Sequence, residues 1–159
     1  MAITSKFGFT NVTESKNSVT PVDLAIISDY ALIEDEPTSC VLSNTTCPID
    51  QGELISYKCQ SLKNVSSTQD ILYPNTVSAG VQYVIKVEEI LSTTSDSDPS
   101  FRVDSPIVAY LTIRHSKNGN ITEDMISQTV QRLLGACQKE DGTWRFGDLM
   151  RSSLKPTEN

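Results

Sequence analysis

The feature that most constrains this chain is a change of hydrophobic period partway along it. In Val81–Ile90, the residues Val81, Tyr83, Ile85 and Val87 point one way and Gln82, Val84, Lys86 and Glu88 the other. Pro106–His115 repeats the pattern, with Ile107, Ala109, Leu111 and Ile113 on one side and Val108, Tyr110, Thr112 and Arg114 on the opposite one. Period two over such runs predicts strands with one apolar and one mixed, polar face. After the SKNGN turn at 116–120 the period changes. Ile121, Met125, Ile126, Val130, Leu133, Leu134 and Cys137 recur at spacings of three and four, which predicts an amphipathic helix over about 122–137. Asn120 or Thr122 can cap it, and Glu123 stands three residues after Asn120 as in a capping box. The KEDG break at 139–142 precedes a second, shorter helix over 146–153, anchored by Trp144, Phe146, Leu149 and Met150.

Upstream, Phe7–Val12, Asp23–Ile27 and Leu54–Asn64 read as further strands, and Tyr73-Pro74-Asn75 as a turn. Residues 29–53, acidic and interrupted by Pro37 and Pro48, read as a long loop insertion with at most a short strand. Residues 92–100 (STTSDSDPS) read as a flexible polar loop between strands, and Phe101–Val103 returns to strand character. Strands first and helices last predict an α+β fold: an antiparallel sheet with N-terminal strands or a hairpin, then two C-terminal helices, in a single domain over 1–159 whose helical part spans 120–154. One sheet and one amphipathic helix cannot close a core alone. Their apolar faces predict an obligate oligomer.

The 13 Lys and Arg face 20 Asp and Glu, for a net charge of −7, but the imbalance is local. Between Lys16 and Lys58 lie seven acids and no base, while the remainder carries 13 of each. The chain therefore lacks a uniformly basic footprint for nucleic acid, although a local basic face remains open to it. No apolar run reaches the length of a membrane span, and MAITSKFGFT contains no apolar signal core, so neither membrane insertion nor secretion is expected.

Catalysis finds no footing. His115, the single histidine, stands at a strand end beside a turn, and no nucleophile elbow, phosphate-binding glycine loop or zinc-protease motif occurs. Glu88 and Glu89 face opposite sides of a strand, and Glu123 and Asp124 suit a first helical turn. Cys40, Cys47, Cys59 and Cys137 lack metal-ligand spacing; Cys40 and Cys47 could bridge, and Cys59 and Cys137 read as free thiols. No enzyme, metal or cofactor is expected. Four sequons, at Asn11, Asn44, Asn64 and Asn120, carry no weight without a secretory signal.

The polar sheet face is the candidate site. Lys86 and Arg114 project from it with Gln82, Tyr110 and Thr112. Lys58 or Lys63 joins them according to a register that Leu54–Asn64 leaves open, because its apolar residues fit either parity. Cations for phosphates and a ring for base stacking suit single-stranded or looped RNA. The same face could also be merely solvated.

These features resemble the coat proteins of the small single-stranded RNA bacteriophages, the leviviruses. The run Tyr83 to Glu89 (YVIKVEE) is similar to their central strand, and Ser56 to Lys63 (SYKCQSLK) to its neighbour. Loop 92–100 with Val108–Arg114 looks like their long loop and final strand. Ile121–Cys137, the break, the short helix and Leu154-Lys155-Pro156 are similar to their C-terminal end. The resemblance covers roughly residues 54–156. It implies that two subunits join sheets into one continuous sheet, that helices interlock across the dimer through Ile126, Val130, Leu133 and Leu134, and that dimers assemble into an icosahedral shell. It further implies a virion protein assembled in a bacterial host's cytoplasm, whose inner sheet face binds genomic RNA and can hold a translational-repressor hairpin. The positions implied for RNA are Lys86, Arg114, Tyr110, Thr112, Gln82, Lys63 and Ser61. Loop 92–100 is implied to change conformation between quasi-equivalent positions. The chain departs from the pattern in its greater length, in a loop without cross-linking cysteines, and in Val84 and Val108 where polar residues are common. A β-rich cell-surface or adhesion module is the alternative reading; the Ser/Thr-rich loops suit it and the C-terminal amphipathic helix does not.

Overall fold

The computed structural model describes residues 3–11, 21–65, 79–139 and 141–151. The chain divides into two compact units, one of Asp23–Lys117 and one of Met1–Val22 with Asn118–Asn159.

The first unit is a sheet. A single helical turn, α1 (Ile26–Asp29), leads into β1 (Tyr30–Glu36), β2 (Ser39–Asn44), β3 (Leu54–Leu62), β4 (Gly80–Thr94) and β5 (Arg102–Ser116). The strands lie in sequence order and every neighbouring pair is antiparallel. β4 and β5 match the alternating runs of the sequence, and they pair continuously from Gly80↔Ser116 to Thr94↔Arg102. β3 leaves β4 at Leu54↔Glu88, so the pairs from Glu89↔Ile107 onward project as a two-stranded ribbon. Pro106 is tolerated inside β5 because β5 is the sheet edge, where a missing N–H breaks no inner ladder. Gly80 is required where β4 begins: a Cβ there would collide with the His115 carbonyl oxygen and the Val65 side chain.

The structure of this unit corrects three expectations. Residues 29–53 are not mainly loop, since they form the β1–β2 hairpin, closed by Pro37 and Thr38. Acidic residues of low strand propensity and a register shift between Leu32 and Glu34 hide the alternation in the sequence. Asp23–Ile27 is not a strand, because residues 21–25 are irregular and Ile26 opens α1. The polar loop is shorter than 92–100: Ser92, Thr93 and Thr94 continue β4, where Ser92 donates its hydroxyl to Asp104 across the ribbon. The remaining loop is closed by Asp98, whose carboxylate accepts the Ser100 backbone N–H (3.1 Å) and hydroxyl (2.7 Å). The Ser100 hydroxyl holds the Asp98 carboxyl below its usual range. At the far end of the ribbon, where Thr94 pairs with Arg102, Arg102 donates to Asp50 at 2.6 Å and Asp104 at 2.9 Å, joining the β2–β3 connection to the ribbon.

Beside that connection Tyr30 donates its hydroxyl to Glu53, which also accepts from Asn44 Nδ2 at 3.0 Å. The Tyr30 hydrogen bond, then one from Glu89, lowers the Glu53 carboxyl, while the bond to Glu53 and burial raise Glu89. The same bond to Glu53 pushes the Tyr30 phenol up to about 12.

The second unit centres on α2 (Glu123–Ala136), close to the expected 122–137. Thr122 is the cap, its hydroxyl accepting the Met125 N–H at 3.3 Å. Gly142, at φ 89°, turns the chain at the KEDG break into the short α3 (Phe146–Met150), and Trp144 stacks on Phe146 at 5.0 Å. The expected strand at Phe7–Val12 is absent through Asn11, and Val12 lies outside the described residues. The segment serves α2 instead: Arg132 lies 3.9 Å over the Phe9 ring and donates to Asn11 Oδ1 at 2.9 Å. The Tyr73-Pro74-Asn75 turn, residues 152–153 and Leu154-Lys155-Pro156 also lie outside the described residues.

Among the described residues only Tyr30 and Ile55 are buried hydrophobics, and no residue of α2 is buried. Tyr83, Ile107 and Tyr57 on the apolar sheet face remain exposed, as does Leu133 on the apolar stripe of α2.

Candidate nucleic-acid interface

Register decides which side chains share the polar face, because residues directly opposite in an antiparallel ladder point the same way. Three rows cross the sheet. Gln60, Gln82 and Arg114 form one; Lys58, Val84 and Thr112 the next; Ser56, Lys86 and Tyr110 the third. The five candidates on β4 and β5, namely Gln82, Lys86, Tyr110, Thr112 and Arg114, therefore stand together.

The two β3 candidates do not join them. Ser61 pairs with Val81 and so lies on the opposite, apolar face. Lys63 follows the end of β3 and lies outside the ladder. The register that the sequence left open places Lys58, Ser56 and Gln60 on the polar face instead. The sequence signal for this is the apolar parity of Ile55, Tyr57 and Cys59, opposite to Lys58; Leu54 and Leu62, on the polar parity, blur it.

The face is preorganised locally. Arg114 Nε donates to Gln82 Oε1 at 2.6 Å, which fixes the guanidinium plane and uses one of its five donors. Lys86 Nζ lies 5.8 Å from the centroid of the Tyr110 ring and 3.2 Å from Glu88. Tyr110 is 65% exposed, so its ring is open to a stacking partner. Lys58, Thr112 and Arg114 are exposed too. Cations on three neighbouring strands, each in a different row, with a ring and amides between them, can meet phosphates and an unstacked base. Among the described residues no cluster of His, Cys, Asp or Glu could hold a metal, and no helix is long and apolar enough to cross a membrane.

On the other face Tyr83 Oη and His115 Nε2 lie 3.1 Å apart, and His115 Nδ1 reaches the Ser116 carbonyl at 3.0 Å. A proton on Nδ1 satisfies both contacts, which gives His115 a structural role tying β4 to β5.

The dimer candidates Ile126, Val130, Leu133 and Leu134 all fall within α2 on one stripe; Leu133 is 51% exposed and the other three are half-buried. All four cysteines, Cys40, Cys47, Cys59 and Cys137, are free thiols, so the possible Cys40–Cys47 bridge is not formed.

No protein-family model matches the sequence, and no curated protein matches it. Solved structures do match. The chain is similar to a subunit of the virus-like particle of bacteriophage AVE015, with a TM-score of 0.84 and 21% identity over 98% of this chain and 99% of that one. It is also similar to that of bacteriophage GQ-112, with a TM-score of 0.74 and 12% identity over 96% of this chain and 98% of that one. At such identities the likeness speaks for the fold. The five-stranded open antiparallel sheet followed by C-terminal helices is the levivirus coat-protein fold.

Proposed function

We propose that this chain is the structural coat protein of a single-stranded RNA bacteriophage, self-assembling into an icosahedral shell around RNA. The observation that carries the proposal is a fold shared over nearly the whole chain with subunits of phage virus-like particles. Exposed apolar side chains in each unit support it. Among the described residues Tyr57, Tyr83 and Ile107 on the apolar side of the sheet and Leu133 on the stripe of α2 are exposed, and a second copy covers them if sheets join edge to edge and the helices cross onto the partner's sheet. Ile126, Val130, Leu133 and Leu134 are the proposed interlock. The two compact units are then parts of one coat domain, completed on dimerisation.

The polar face, with Lys58, Lys86, Arg114, Gln82, Tyr110 and Thr112, is the proposed RNA surface. Lys86 and Arg114 meet phosphates and Tyr110 stacks on a base; Lys58 replaces Lys63 and Ser61. The proposed role is structural, without catalysis, and its place is the virion. Bacterial expression of the full chain followed by electron microscopy and nucleic-acid analysis tests this. Closed particles of virus size carrying host RNA are the expected result, and a soluble monomer without RNA contradicts it.

A further inference from the structure

The polar face is charged asymmetrically, and a backbone irregularity sets the asymmetry. β1 pairs with β2 through Leu32↔Leu42, then shifts register so that Glu34 meets Val41, Asp35 meets Cys40 and Glu36 meets Ser39. Following the ladder onward, Val41 meets Ser56 and Ser39 meets Lys58. Glu34 and Glu36 therefore stand on the polar face, in the rows of Lys86 and Lys58, while Asp35 is turned to the other side. Without the extra residue, Ile33, the parity after Leu32 would reverse and put Asp35 alone on the polar face. The irregularity thus doubles the acid on this rim, and it does so at the cost of leaving Ile33 58% exposed.

Among the described residues no cation is paired with that charge. No Lys, Arg or His occurs between Lys16 and Lys58, so β1 and β2 carry no cation. Among the described residues no ion pair involves Glu34 or Glu36, whereas Glu88, the acid within the basic strip, is paired with Lys86 at 3.2 Å. Two strand spacings, about 10 Å, separate Glu36 from Lys58. That is close to the screening length of about 8 Å at physiological ionic strength, so a phosphate feels chiefly the strands beneath it. Over β3–β5 it meets Lys58, Lys86 and Arg114; over β1 it meets two uncompensated carboxylates.

We infer that Glu34 and Glu36 form an acidic rim that repels phosphate and confines RNA on the polar face to the strip β3–β5. They are specificity-determining positions that limit the length of strand held by each subunit. The inference rests on the proposed RNA surface and deepens it.

The test uses the full-length protein and single-stranded oligouridylates of increasing length, titrated at several salt concentrations. Glu34→Gln with Glu36→Gln keeps size and strand position while removing both charges. The double variant is expected to bind roughly three- to tenfold tighter at low salt, and its affinity should stop rising only at a longer oligomer than wild type requires. Lys58→Gln with Lys86→Gln should weaken binding. If the acidic double variant matches wild type in affinity and limiting length while the lysine double variant binds less well, the rim is refuted and the RNA surface stands. If neither variant changes binding, both fail. A Glu34→Ala, Glu36→Ala protein must reproduce the gain, since only charge is at issue. Circular dichroism and sedimentation of each variant confirm that like assemblies are compared.

Discussion

Lys58, Lys86 and Arg114 are proposed to act mainly as charges. Each replacement by Ala should weaken RNA binding and reduce the steepness of log affinity against log salt by about 0.7, the value for one lost phosphate contact on a single strand. A filter-binding salt series reads both quantities, and an unchanged slope removes that residue from the surface. At the other end of the sheet, Glu53 and Glu89 have opposed pH dependences. The Glu53 carboxyl is lowered, so its contribution is present above its ordinary value of 4.5 and is lost as pH falls through the lowered one. The Glu89 carboxyl is raised, so its contribution is present below 4.5 and is lost as pH rises through the raised one. Glu89→Gln keeps a donor toward Glu53 at every pH. It should stabilise the protein at pH 7 by about 0.5 kcal/mol, a small figure because both carboxyls are largely solvated, and the gain should vanish below about pH 4.5. Denaturation midpoints at fixed protein concentration across pH check this; a loss of stability at pH 7 contradicts the assigned bond. Of these residues the sequence revealed Lys86 and Arg114, which lie on cleanly alternating runs. It left Lys58 and Lys63 as alternatives, because a one-residue choice of parity in β3 moves every side chain to the other face.

The long elements were legible and the short ones were not. β4, β5 and α2 stood out because each carries a sustained period and, in α2, a Thr122 cap with acids behind it. The β1–β2 hairpin was missed because three consecutive acids and one irregularity erase a two-residue period over a strand of seven. Phe7 and Phe9 misled in the opposite sense: their alternation belongs to an extended segment that stacks ring on ring at 5.1 Å and carries Arg132 of α2. The junction of β4 with β5 depends on Gly80. Gly80→Ala should cost about 2–4 kcal/mol, through collision with the His115 carbonyl, and lower the unfolding midpoint accordingly. A wild-type midpoint would show that the strands can part there without penalty. On α2, Leu133→Asp should abolish dimers and hence particles, since the interlock buries an unpaired carboxylate. Normal shells from that variant would remove α2 from the subunit contact.

At the scale of the whole molecule, a chain of 159 residues ordinarily closes a core of its own. Here the described residues bury only Tyr30 and Ile55 among hydrophobics, while the sheet and α2 each keep an apolar surface in contact with solvent. We propose that a second copy covers these surfaces and that the polar face of the joined sheet turns toward RNA. Sedimentation velocity of the full-length chain over a wide concentration range, with absorbance at protein and nucleic-acid wavelengths, tests this most directly. The expected boundaries are dimers and large RNA-bearing particles, with no folded monomer between them. A folded monomer that persists at the highest concentration, free of nucleic acid, would contradict it.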